Sequence, residues 1–152
     1  MNNNDVLRSL RYTFEFNDSK MIEIFQLGGI QTTREEISNW LNRDDDKEFV
    51  AIYDKDLAGF LNGFIIEKRG KKEGAEPVLE KSLSNNQVLR KLKIGLNLQD
   101  QNVLDMLEKA QFRLGKHELS AFFRKPTQAQ YRDCKDQVLR NFLKGMQLTY
   151  RP

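Results

Sequence analysis

The 152-residue chain repeats itself at a constant offset of 82 residues. NNDVLRSL, from Asn3 to Leu10, lies over NNQVLRKL, from Asn85 to Leu92, and the register then continues without a gap. Asp18 falls over Asp100, Glu36 over Glu118, Ser38 over Ser120, Trp40 over Phe122, Asp54 over Asp136, Leu57 over Leu139, Phe60 over Phe142, Leu61 over Leu143 and Gly63 over Gly145. A self-match held over so long a stretch is the mark of one supersecondary unit written twice, so whatever one copy folds into the other must fold into as well. The copies span residues 3–66 and 85–148. Residues 67–84, EKRGKKEGAEPVLEKSLS, carry two Gly, one Pro and many charges, and read as a linker.

Apolar spacing inside each copy is helical. Val6, Leu7, Leu10 and Phe14 fall at i, i+1, i+4 and i+8, and Val88, Leu89, Leu92 and Leu96 repeat them. A second helix holds Met21, Ile22, Ile24 and Phe25, or Val103, Leu104, Met106 and Leu107, with Asp18 or Asp100 as N-cap and Gly28 or Ala110 at its end. The pair Gly28-Gly29 reads as a plain C-cap. Thr33 and Glu36 have capping-box spacing ahead of Ile37, Trp40 and Leu41, and Glu118 stands before Leu119, Phe122 and Phe123. A longer last helix is expected from Asp45-Asp46, or from Thr127 behind Pro126, carrying Phe49, Ile52, Leu57, Phe60, Leu61 and Phe64, or Tyr131, Cys134, Val138, Leu139, Phe142 and Met146. No window sustains β-branched alternation between hairpin turns. The expectation is an all-α protein, two tandem copies of a roughly four-helix unit packed together.

Composition narrows the chemistry. A single Cys, Cys134, excludes an internal disulfide framework and any multi-Cys zinc site, and a single His, His117, removes the usual catalytic and metal-binding clusters. His117, Glu118 and Ser120 place a base and a hydroxyl at i, i+3, but the aligned residue in copy one is Glu35 and no oxyanion turn adjoins, so His117 reads as a solvated or capping residue. The acidic run Asp44, Asp45, Asp46 and Glu48 lacks the spacing and Gly of a calcium loop and reads as a solvated helix start. Cys134 lies on the apolar stripe of the last helix and reads as a buried structural thiol. Neither a Gly-rich phosphate loop nor a nucleophile elbow is present, and the chain is expected to be non-enzymatic and without a cofactor or metal. The N-terminus has no signal-peptide pattern and no window approaches about 18 consecutive apolar residues, so membrane insertion is not expected and the cytoplasm is the default compartment.

The net charge of +3 hides an asymmetry. Residues 1–66 carry 7 Lys+Arg against 12 Asp+Glu, a balance of −5, residues 67–84 carry 5 against 4, and residues 85–152 carry 13 against 6, a balance of +7. One copy is acidic and the other basic. Contact with nucleic acid or another partner is therefore expected from Arg124, Lys125, Arg132, Lys135, Arg140 and Lys144 in copy two, and from Lys68, Arg69, Lys71 and Lys72 in the linker. Polar positions kept in both copies, Arg8 and Arg90, Asp18 and Asp100, Glu36 and Glu118, Asp54 and Asp136, read as caps and cross-helix ion pairs.

The segments NNDVLRSLRYTFEFNDSKMIEIF, TREEISNWL, FLNGFIIEKRGKK, HELSAFFRKP and DQVLRNFLKGMQL resemble the YehS-like family, and the resemblance covers essentially the whole chain. It implies a small bacterial cytoplasmic protein built from a duplicated domain, and it brings no reaction, cofactor, partner or catalytic residue with it. Three functional classes follow from the residues. The first is a binding or regulatory module that meets nucleic acid through its basic copy, its second and third helices forming a variant of the helix-turn-helix pair. The second is a protein-protein adapter or a homo-oligomer that uses the acidic and basic copies. An enzyme is the third and the least supported.

Overall fold

The computed structural model describes residues 1–71 and 78–152, which form two compact units, Met1–Leu83 and Ser84–Pro152. Unit one contains α1 (Asn3–Phe14), α2 (Asp18–Leu27), α3 (Arg34–Leu41) and α4 (Asp54–Arg69). Unit two contains α5 (Asn85–Gly95), α6 (Asp100–Lys109), α7 (Lys116–Phe122) and α8 (Asp136–Tyr150). Every helix of the second unit starts 82 residues after its counterpart, and no strand occurs among the described residues. The fold is all-α, with four helices per copy.

In unit one α2 packs chiefly on α4, and Phe25 meets Phe60 at 4.7 Å and Trp40 at 5.3 Å between ring centroids, both pairs tilted. Leu7, Leu10, Met21, Ile24, Ile37, Leu57, Leu61 and Phe64 close the core around them. In unit two α6 packs on α8, and Leu89, Leu92, Val103, Leu107, Leu119, Leu139, Phe142 and Met146 are buried. The packing requires glycine at Gly63 and Gly145. A methyl group on Gly63 would be driven into the carbonyl oxygen of Ile24, and one on Gly145 into that of Met106. Gly28 does more than end α2, because a methyl there would meet the carbonyl of Gly59, so the helix must stop against the α4 backbone.

Caps differ from the sequence reading by one residue in α2 and α6. Asn17 is the N-cap of α2, its side chain accepting from the backbone of Lys20 at 2.8 Å, and Gln99 occupies that position in α6. Asp18 and Asp100 are the first helical residues, where the helix dipole favours a carboxylate without a capping bond. The capping box of α3 is as read: Thr33 accepts from Glu36 N–H at 3.2 Å and Glu36 accepts from Thr33 N–H at 3.0 Å.

The last helix starts at Asp54 and Asp136, not near Asp45-Asp46 or Thr127. Residues 43–53 and 124–135 run through turns and then an extended stretch, so Pro126 lies in a turn and the acidic run is not a helix start. The physical cause is a pair of asparagines in the first turn of each unit. Asn4, 1% exposed, donates to the carbonyls of Trp40 (2.8 Å) and Val50 (2.9 Å) and accepts from Ile52 N–H (3.2 Å). Asn86 repeats this with Phe122 (3.1 Å), Arg132 (2.9 Å) and Cys134 N–H (2.9 Å). Asn3 and Asn85 then donate to the carbonyls of Ile52 and Cys134 and to the carboxylates of Asp54 and Asp136. One buried side chain thus satisfies three main-chain groups, which makes the extended path cheaper than continuing a helix. Ile52 and Cys134 still turn inward, 4% exposed each. Burial, with the Asp136 charge beside it, pushes the Cys134 thiol up to about 12.

Three measurements check this architecture. Gly63→Ala or Gly145→Ala gains about 1 kcal/mol of helix propensity but loses more to the backbone collision, so a net destabilisation of about 2 kcal/mol or more is expected in urea unfolding. An unchanged or raised midpoint would contradict the close approach. Asn86→Ala removes the partner of the buried Phe122 carbonyl and Cys134 N–H and of the half-buried Arg132 carbonyl, and should cost about 3 kcal/mol. Because Cys134 keeps its proton well above neutral pH, a thiol-specific reagent at mild alkaline pH should label the unfolded chain readily and the native protein far more slowly; equal rates would refute its burial.

Candidate binding surface

The α7–α8 connection holds four of the six basic residues read from the sequence of copy two. It is shaped by backbone turns, with Gln128 N–H donating to the Lys125 carbonyl at 2.9 Å and Tyr131 N–H to that of Gln128 at 3.0 Å. Arg124 and Lys125 are exposed on this loop. Arg132 is not offered in the same way, since its guanidinium folds back onto the carbonyls of Ala129 (3.1 Å) and Tyr131 (2.8 Å). Lys135 is exposed at the N-cap of α8. Arg140 and Lys144 stand one turn apart on α8, exposed, and share a helix face.

The linker residues are arranged differently from a free basic cluster. Lys68 and Arg69 form the last turn of α4, where cations are favoured by the helix C-terminus, and the Lys68 ammonium lies 4.5 Å from the centre of the Phe14 ring. Lys71 follows in an exposed position, and Lys72 lies outside the described residues.

The repeated polar positions serve local geometry. Asp54 accepts from Asn3 (2.6 Å) and from Leu83 N–H (2.9 Å), while the bond from Asn85 (2.8 Å) holds the Asp136 carboxyl below its ordinary range. Asp18 faces Arg34 at 3.6 Å, and Asp100 faces Lys93 at 2.5 Å. Glu36 and Glu118 reach back to Thr33 N–H and Gly115 N–H. Arg8 does not pair with a repeated acid as expected. It binds Asp5 (2.7 Å) and Asp44 (3.1 Å), which are the nearer carboxylates because the α3–α4 loop is drawn onto α1. Gln87 and Pro126 stand at those two positions in copy two, and Arg90 donates instead to the Phe123 carbonyl at 2.6 Å.

Asp44 also accepts from the Asn2 side chain, and Asp46 from Glu48 N–H, so the acidic run closes a loop; no group of three metal-ligating side chains occurs among the described residues. His117 and Ser120 line a shallow depression with Lys93 and Asp100, and Glu118 is engaged at Gly115. Among the described residues no hydrogen bond links His117 to Ser120, and no helix is long and apolar enough to cross a membrane.

The most informative feature was not legible in sequence: the two units treat the same helix face differently. On α4, Gly59 is buried and Asn62 is 6% exposed. Asn62 donates to the Val78 carbonyl at 2.8 Å and Leu83 N–H reaches Asp54 at 2.9 Å, while Gly59 is tight against Ile30, which a methyl there would strike, with Leu79 at ordinary contact distance. Residues 78–83, which composition assigned to the linker, are therefore a strap laid on unit one. The aligned positions on α8 are Asn141 and Lys144, with Arg140 in place of the buried Ala58. There the face is charged and open to solvent at Arg140 and Lys144.

A family model described as "Protein of unknown function (DUF1456)" matches the chain twice, over residues 3–70 and 85–151. The chain is 42% identical over 148 residues to "Uncharacterized protein YehS" of Escherichia coli (strain K12), an alignment covering 96% of this chain and 94% of that protein. No solved structure matches it. With one match on each four-helix unit and the similarity to YehS running through both, the chain belongs to the DUF1456 family.

Proposed function

We propose that this chain is a non-enzymatic protein-binding module whose second unit carries the docking surface. The observation that supports this reading is the contrast between α4 and α8: a face that takes a strap of its own chain in unit one is basic and exposed in unit two. The partner is acidic, since Arg140 and Lys144 flank the face and unit two carries an excess of seven positive charges. The single thiol suits a reducing compartment, and we place the module in the cytoplasm. Contact with nucleic acid is the second reading, favoured by Arg124 and Lys125 on the neighbouring loop.

Fluorescence anisotropy with labelled polyglutamate at low salt tests the two against each other. Binding that weakens about tenfold or more in R140E/K144E, and falls as salt is added, is the expected result. No binding of polyglutamate at low salt would end the proposal. Tighter binding of generic duplex DNA or single-stranded RNA, kept in R140E/K144E and lost in R124E/K125E, would replace it with the nucleic-acid reading.

A further inference from the structure

We propose that unit two holds a small-molecule site in the cleft between α6 and the α6–α7 loop, and that its ligand is a free α-amino acid with a large apolar side chain. The cleft has no lining residue on α8, so the inference stands apart from the docking reading of Arg140 and Lys144.

The cleft measures about 400 Å³, within the range of pockets that enclose small ligands. Half-buried Leu104, Phe112 and Leu114 form its apolar wall, and Glu108, Gln111 and Arg113 stand exposed around it. Its origin is a difference between the copies. In unit one Ile30, the counterpart of Phe112, packs so closely on Gly59 that a Cβ there would strike it. In unit two Asn141 stands at the Gly59 position and brings that Cβ, so Phe112 finds no such seat on α8 and lines the cleft instead. The two helices are comparable at this point, because Gly63 and Gly145 meet the carbonyls of Ile24 and Met106 in the same way.

Unit two also changes the chemistry of this loop. Gln26, Gln31 and Thr32 are neutral in unit one, and Glu108, Arg113 and Leu114 replace them, which sets two opposite charges and a further apolar side chain around one cleft. Among the described residues neither Glu108 nor Arg113 has an ion-pair partner, so neither charge neutralises the other. A ligand that satisfies both carries a cation and an anion on one small frame. An α-amino acid does so: its carboxylate suits the guanidinium fork of Arg113, and its ammonium suits Glu108 in the last turn of α6, where the helix end favours a cation. Its apolar side chain then covers Leu104, Phe112 and Leu114. An internal peptide residue has neither charge. Gln111 completes the rim. It holds the left-handed turn (φ 62°) that Gly29 makes in unit one (φ 90°), so unit two keeps an unfavourable backbone conformation where it places a carboxamide beside the cleft.

The test is a nitrogen-15 NMR titration of the whole chain with L-phenylalanine and L-leucine. Saturable shifts of the amides at Leu104, Glu108 and residues 111–114 are expected, with a dissociation constant of about 1 mM or below. Phenylpropionate, without the ammonium, and phenethylamine, without the carboxylate, should each bind about tenfold or more weakly. In Arg113→Gln, phenylalanine should fall to the affinity of phenethylamine while phenethylamine itself is unchanged. Glu108→Gln should bring phenylalanine down to phenylpropionate in the same way. Both residues are exposed, and unchanged amide positions outside the cleft verify that the variants fold. No saturable shift with either amino acid, shifts confined to other helices, or phenylpropionate binding as tightly as phenylalanine would overturn the proposal. Concentration-dependent shifts of the same amides without ligand would assign the cleft to a second copy of the chain and overturn it too.

Discussion

A single carboxamide organises each unit. Asn4 and Asn86 project from the first turn of α1 and α5 into the interior, and each ties the end of the third helix to the extended chain that follows. Backbone polar groups in that segment have no helical partner, and burying them unpaired would cost about 1–3 kcal/mol each. The asparagine removes the penalty and decides where the last helix begins. Since that helix supplies the close glycine contact with its neighbour, the register of the core follows from it.

Duplication with divergence explains much of the rest. The framework residues are the same in both units: the Asn pair, the Asp that opens the last helix, and the glycine one turn after its aromatic core residue. The outer face of that helix is where the copies part. Asn62 holds a neutral strap and Gly59 is tight against Ile30, while Asn141 and Lys144 with Arg140 present donors and positive charge. A net charge of +3 is therefore a poor guide to the surface, because the excess lies in one unit and is concentrated on α8 and the loop before it.

Parts of this were plain in the sequence and parts were hidden for identifiable reasons. The helix count, the repeat register and the Thr33 capping box follow from spacing alone. The start of the last helix did not, because Asp45-Asp46 mimics an acidic first turn and Phe49 and Ile52 fall near helical spacing while lying on extended chain. Asp18 and Asp100 resembled N-caps because Asp is a good one, yet Asn17 stands one residue earlier with the same chemistry. The Asn pair was visible only as a repeated dipeptide, since its partners lie 36 to 51 residues away in sequence.

Sequence by itself determined that the chain is one four-helix unit written twice, with opposite charge in the two copies. Those properties depend on periodicity and composition, which are local or additive. Tertiary structure alone decided which residues of 67–84 belong to a helix or a strap, which arginines are consumed by loop carbonyls, and which face of the last helix is covered. These depend on contacts between residues far apart in the chain, and no spacing rule encodes that a carbonyl at Val78 will find an amide at Asn62.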